Sequence, residues 1–247
     1  GRRPGRHGTP SVSFPEPAPV TEHGPARVVA LCNQKGGVGK TTTTINLGAA
    51  IAETGRRVLL VDFDPQGALS VGLGVNPNDL ELTVYNLLMQ RDVSVDDVLL
   101  KTAIPGLDLL PANIDLSAAE VQLVTEVARE QTLGRVLAPV LPDYDYVLID
   151  CQPSLGLLTV NALVAADAVG IPTQSEYFAL EGLSALLETI DKIRRFLNPA
   201  LKVEGFLRTM FDPRNNLARE VAGEVRRHFH VFDAVIPRNV RLSEAPS

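Results

Sequence analysis

Residues 33–42 read Asn33-Gln34-Lys35-Gly36-Gly37-Val38-Gly39-Lys40-Thr41-Thr42. Glycines and lysines in this arrangement suit the holding of a polyphosphate. Glycine lets successive backbone N–H groups curl around an anion, and a helix starting behind the loop adds the positive end of its dipole. In such a cradle Gly36, Gly37, Val38, Gly39 and Thr42 line the phosphates. Lys40 lies against the β- and γ-phosphates, and the Thr41 hydroxyl holds Mg²⁺. Two acidic stretches downstream can complete the chemistry. In Val61-Asp62-Phe63-Asp64-Pro65-Gln66-Gly67, an apolar run ends in two carboxylates. One can order a Mg²⁺ shell and the other can position an attacking water. Taken alone, Asp64-Pro65-Gln66-Gly67 also reads as an ordinary turn. Tyr146-Val147-Leu148-Ile149-Asp150-Cys151-Gln152-Pro153 again runs apolar residues into an acid, placing Asp150 near the same cation.

Such residues need a frame that brings three separate segments to one edge. Val28-Val29-Ala30-Leu31-Cys32 precedes the glycine loop and reads as a buried strand, and residues 43–52 behind the loop read as a helix. Further strands are expected at 57–62, 146–150, 168–172, 203–210 and 234–236. Helical patterns lie at 118–140 in two pieces, 155–166, 180–197 and 218–228. Apolar strands that do not alternate, each followed by an amphipathic helix, predict an α/β fold. Its sheet is mostly parallel and twisted, with helices on both faces. Ligands in such sheets bind at the carboxyl ends of the strands, where all three segments fall.

Residues 1–26 are rich in Pro, Gly and Arg without apolar periodicity and read as a disordered tail, leaving 27–247 as a single domain. No apolar h-region follows the tail's arginines, so it is not a signal peptide. No apolar run is long enough to span a bilayer. Two cysteines, Cys32 and Cys151, give no disulfide framework, which suits a reducing cytoplasm. The four histidines make no metal pattern, and Phe229, between His228 and His230, is expected to point inward. Net charge is −6, yet residues 192–247 hold eleven Lys/Arg against six Asp/Glu. An acidic protein can therefore carry a basic face.

The glycine loop departs from the common G-x-x-x-x-G-K-[ST] pattern: Gln34 replaces the first glycine and a second lysine, Lys35, follows. This resembles the deviant Walker A motif of the ParA/MinD ATPases. The segments Ser175 to Gly182 and Ile236 to Ser247 resemble the chromosomal ParA (Soj-like) branch. The resemblance implies a P-loop ATPase using ATP and Mg²⁺, located in the cytoplasm on the nucleoid. Its ATP-bound homodimer is a sandwich in which Lys35 reaches the partner's nucleotide. That dimer binds double-stranded DNA without sequence preference, and hydrolysis stimulated by a ParB-type partner releases it. By resemblance Asp64 positions the hydrolytic water and Asp62 and Asp150 join Thr41 at Mg²⁺. Met210, Pro237 and Asn239 neighbour the adenosine, while Arg214 and Arg241 contact DNA. The family usually has two prolines after the cysteine of the Asp150 segment, where this chain has Gln152 first. It also usually continues with a further strand and helix beyond the last residues here. No N-K-x-D element supports guanine recognition by the D-x-x-G segment. Membrane recruitment, as in the MinD branch, would need an amphipathic C-terminal helix that is not visible in the sequence. A metabolic ligase built on the same P-loop has no substrate site to support it.

Overall fold

The structure is a computed structural model, described here for residues 17–174, 180–211, 226 and 229–237. Strand β1 (Arg27–Leu31) leads through the glycine loop into helix α1 (Lys40–Glu53), and β2 (Val58–Phe63) follows. Short helices α2 (Ala68–Gly72), α3 (Val84–Met89) and α4 (Val95–Val98) precede the strands β3 (Leu100–Lys101) and β4 (Leu107–Leu110). Next come α5 (Leu116–Gln122), α6 (Thr132–Leu137), β5 (Tyr146–Cys151), α7 (Leu157–Ala165) and β6 (Ala168–Gln174). The chain goes on through α8 (Leu180–Phe196), β7 (Lys202–Phe211) and β8 (Val231–Pro237). The strands form one eight-stranded sheet in the order β3-β4-β2-β5-β1-β6-β7-β8. Its pairs are parallel except β3 with β4.

Side chains alternate across the pleat, so each face of the sheet has its own core. On one face Val58, Leu60, Leu107, Leu109 and Leu148 pack under α1 and α2, with Ala52 and Leu69 among them. On the other, Val28, Ala30, Leu59, Val61, Val147, Ile149, Val169 and Ile171 meet the helices that follow β2, including Leu158 of α7 and Leu186 of α8. Every residue of β2 is buried, which is why its sequence shows no alternation. Helix α1 can approach the sheet because Gly48 has no Cβ; one added there would lie 2.8 Å from Leu60 Cδ2.

The expected fold class is observed, with two differences of detail. Strands β3 and β4 and the helices α2, α3 and α4 were not legible. Each is six residues or shorter, too short for periodicity to separate strand from helix. Strand β4 also carries a buried acid, Asp108, whose Oδ2 accepts bonds from Tyr144 Oη at 2.6 Å and Lys101 Nζ at 2.7 Å. The tail boundary expected at residue 26 shifts towards the N-terminus. Asp145 accepts hydrogen bonds from His23 Nδ1 (2.7 Å) and the Gly24 N–H (3.0 Å), and the Ala26 N–H donates to Leu141 O. These contacts at the β5 end satisfy backbone groups that composition alone leaves unassigned. The helix expected at 218–228 lies outside the described residues apart from Arg226. Phe229 does point inward, its ring edge-on to the buried Phe206 at 5.3 Å.

Candidate functional site

The glycine loop, the Asp62–Asp64 turn and Asp150 meet at the carboxyl edge of β1, β2 and β5. Register fixes this: Leu31 pairs with Asp150, and Asp62 pairs with Asp150 from the other side. The loop's shape is held by side chains at its margins. Asn33 Nδ2 donates to Pro172 O at 2.8 Å, and Asn33 Oδ1 accepts from the Lys35 N–H at 2.9 Å. Thr209 Oγ1 donates to Val38 O at 2.7 Å, tying the loop to β7. Gly37 and Gly39 take left-handed φ values of 69° and 83°, which favour glycine. A Cβ built on Gly36 or Gly37 would meet nothing within 4 Å, so open space lies over the backbone where a phosphate belongs.

Lys40 is buried at the start of α1 and donates from Nζ to Lys35 O at 3.1 Å. Burial lowers its pKa, while the nearby carboxylates of Asp150 and Asp64 pull the other way. A buried ammonium donating to a loop carbonyl is poised for a stronger acceptor. Thr41 Oγ1 donates to Asp150 Oδ2 at 2.6 Å. The other oxygen, Asp150 Oδ1, is buried with no hydrogen-bond partner. Burial pushes the Asp150 carboxyl up to about 7, with the charge of Asp62 adding to it and the Thr41 bond opposing it. An orphaned acidic oxygen beside a threonine hydroxyl fits a divalent cation. Mg²⁺ is commonly held by one or two carboxylates together with substrate phosphates.

Asp62 takes its hydrogen bonds from protein groups. Its Oδ2 accepts from Ser70 N (2.9 Å) and Ser70 Oγ (2.6 Å), and its Oδ1 accepts from Asp64 N at 3.3 Å. It is fully buried, and burial raises its carboxyl to about 7 against those hydrogen bonds. Asp62 thus anchors the turn that presents Asp64. Asp64 Oδ1 in turn accepts from the Gln66 N–H at 2.9 Å, so Asp64 also fills the turn role its sequence allows. Among the described residues no group of three or more His, Cys, Asp or Glu side chains is arranged to hold a metal ion. A cation here would lean on Thr41, Asp150 and the nucleotide.

Lys35 is exposed on the loop, and Thr42 lies in the first turn of α1. Met210 stands near the end of β7 with a left-handed φ of 51°, next to Thr209 and its contact with Val38. A non-glycine residue there is uncommon, which marks this strand end as constrained. Pro237 ends β8, paired with Phe211. Asn239, Arg214 and Arg241 lie outside the described residues. Cys32 and Cys151 are free, buried thiols with sulfurs 3.0 Å apart. Asn33, Thr209 and Ser70 support the site, yet sequence reading missed them. Only Asn33 had a signal, its place inside the motif; the other two reach the site through folding alone.

A family model described as an AAA domain matches residues 26–203. The Bacillus subtilis sporulation initiation inhibitor protein Soj is 53% identical, the match covering 90% of this chain and 88% of that protein. The Caulobacter vibrioides chromosome partitioning protein ParA is 54% identical over 90% of this chain and 85% of its own. Among solved structures, a Mycobacterium smegmatis protein is 45% identical with a TM-score of 0.82, covering 87% of each chain. It is described as a cobyrinic acid a,c-diamide synthase with bound ADP and magnesium. Sheet order, P-loop and this degree of identity agree: the chain belongs to the ParA/Soj family of partitioning ATPases.

Proposed function

We propose that this chain binds ATP with Mg²⁺ in the glycine loop and couples its hydrolysis to DNA partitioning. The observation that carries the reading is the buried, partnerless Asp150 Oδ1 beside Thr41 at the mouth of the loop. Lys40 and the loop amides hold the terminal phosphates, and Thr41 and Asp150 hold the cation, which when bound neutralises phosphate charge. Asp64, presented by the Asp62–Ser70 anchor, orients the attacking water. Lys35 is the group that reaches a second copy's nucleotide, so that ATP closes a homodimer. Self-association is supported by Val121, Val124 and Val127, apolar side chains 53–88% exposed on and after α5. The dimer binds double-stranded DNA without sequence preference through Arg214 and Arg241, and a ParB-type partner stimulates hydrolysis and release. The protein then works in the cytoplasm on the nucleoid, as a single domain following its N-terminal tail.

No helix among the described residues is long and apolar enough to cross a membrane. Co-sedimentation with plasmid DNA under ATP, ADP and no nucleotide tests the proposal. Sedimentation with ATP alone is the expected result. Equal sedimentation in all three conditions, or none with ATP at low salt, overturns it.

A further inference from the structure

Gln152 is the first residue beyond β5, two positions from Asp150, and its side chain has a specific partner. Gln152 Nε2 donates to Glu120 Oε1 of α5 at 2.5 Å. The same carboxylate accepts the Leu157 N–H at 2.8 Å and the Leu158 N–H at 3.2 Å. Those amides open α7, whose N-cap residue, Gly156, supplies no side-chain cap. Glu120 therefore caps α7 from a distant helix. The absence of a side chain at Gly156 makes room for it, since a Cβ there would lie 2.7 Å from Glu120 Oε1. A carboxylate at a helix N-terminus is favoured by both the orphan amides and the dipole.

Capping explains the bonds to Leu157 and Leu158. It does not explain Gln152, which contributes nothing to the cap and shares one of its oxygens. What the Gln152 bond adds is a tie at the other end of the loop. Residues 152–156 join β5 to α7, and both ends of that loop are fixed to one carboxylate. Inside it, Ser154 N donates to Gln152 O at 2.9 Å, and Thr159 Oγ1 donates to Ser154 O at 2.7 Å. The loop is thereby held where it leaves Asp150.

We propose that Glu120 and Gln152 are a positioning pair for ATP turnover: their hydrogen bond sets the loop beyond Asp150, and with it the site's geometry during hydrolysis. The pair touches neither nucleotide nor cation and acts through the loop. Small displacements of supporting groups cost turnover more than binding, because alignment matters most in the transition state. The inference rests on the ATPase reading above.

Steady-state ATPase kinetics of the full chain test it, alongside affinity for a fluorescent ATP analogue and the melting temperature. The variants are Gln152→Ala, Gln152→Glu, Glu120→Gln and the exchanged pair Glu120→Gln/Gln152→Glu. Gln152→Ala should lower kcat about tenfold, the scale of one charge-assisted hydrogen bond. KM and analogue affinity should stay at parent values, and the melting temperature should fall by a few degrees at most. Gln152→Glu, which sets two carboxylates against each other, should lower kcat further. The exchanged pair restores a donor facing an acceptor and keeps a carbonyl oxygen for the Leu157 amide, but its amide nitrogen replaces the oxygen that accepted the Leu158 N–H. Its kcat should therefore recover in part, to well above the product of the single variants. Parent kcat in Gln152→Ala, or an exchanged pair no better than the product of its single variants, overturns the pair and leaves Glu120 as a helix cap only. A parent that binds the analogue yet hydrolyses no ATP overturns the ATPase reading, and the pair with it.

Discussion

At the residue scale, the site works through buried charges with few alternatives. Lys40 is held inside by the loop carbonyl of Lys35 and by nearby acids, so Lys40→Ala removes the only lysine buried among the described residues. Affinity for a fluorescent ATP analogue should fall at least about 100-fold, as expected when charge-assisted contacts to phosphate are lost. Asp64→Ala should instead preserve analogue binding and lower kcat by on the order of 100-fold or more, because water positioning acts in the transition state. Phosphate release at saturating ATP reads that loss. The paired acids give a pH signature. In the folded, nucleotide-free protein Asp62 and Asp150 both rise from 3.8 to about 7. The folded state thus binds more protons than the unfolded chain between those values, and stability falls as pH rises. Melting curves in EDTA should show the midpoint dropping from about pH 4 to about pH 7 and this contribution levelling off above that. A midpoint rising across the same range, attributable to these two groups, would contradict their placement.

Elements set the positions of these residues through a few close approaches. The Asp62–Ser70 anchor works because α2 begins immediately after Gly67, whose φ is 65°. A Cβ there would also lie 2.9 Å from the Ala112 carbonyl oxygen. Gly67→Ala combines a left-handed backbone with a clash against main chain. It should destabilise the protein by roughly 1–3 kcal/mol in urea unfolding. Turnover should fall as well, since the Asp64 turn is closed by the Gly67 N–H to Asp64 O at 2.9 Å. Unchanged stability would mean the turn relaxes freely. The same logic explains what was legible. The strand–loop–helix unit at 28–52 carries its own punctuation, so β1, the loop and α1 follow from local pattern. Glu120 has no such punctuation: it sits in an unremarkable helical stretch, and its role exists only because α5 passes the start of α7.

At the scale of the whole molecule, the proposed function turns on charge distribution and on a second copy. The basic excess of residues 192–247 lies in a protein of net charge −6, so under the proposed function one copy would attract DNA only weakly. Pairing two copies would double the phosphate contacts the proposal assigns to each. Arg214→Glu with Arg241→Glu should therefore abolish ATP-dependent DNA binding at all salt concentrations while leaving ATP affinity intact. In the parent, binding should fall steeply with salt as counterion release requires. A double variant that matches the parent in interferometry across the salt series would move the DNA face elsewhere.

Sequence alone determined the strand–glycine loop–helix unit, the acids at the ends of β2 and β5, the parallel α/β architecture and the family. These are local features: glycine spacing, apolar runs ended by an acid, and helices between strands. Tertiary structure decided which partners each acid has. Asp62 and Asp150 look alike in sequence, each closing an apolar strand. Only packing gives Asp62 the amide and hydroxyl of Ser70, and leaves Asp150 one oxygen on Thr41 and one without a partner. Likewise Gln152 is a mere substitution in a motif until the fold sets Glu120 against it. Hydrogen-bond partners distant in the chain are set by which elements pack together, and no local pattern encodes that.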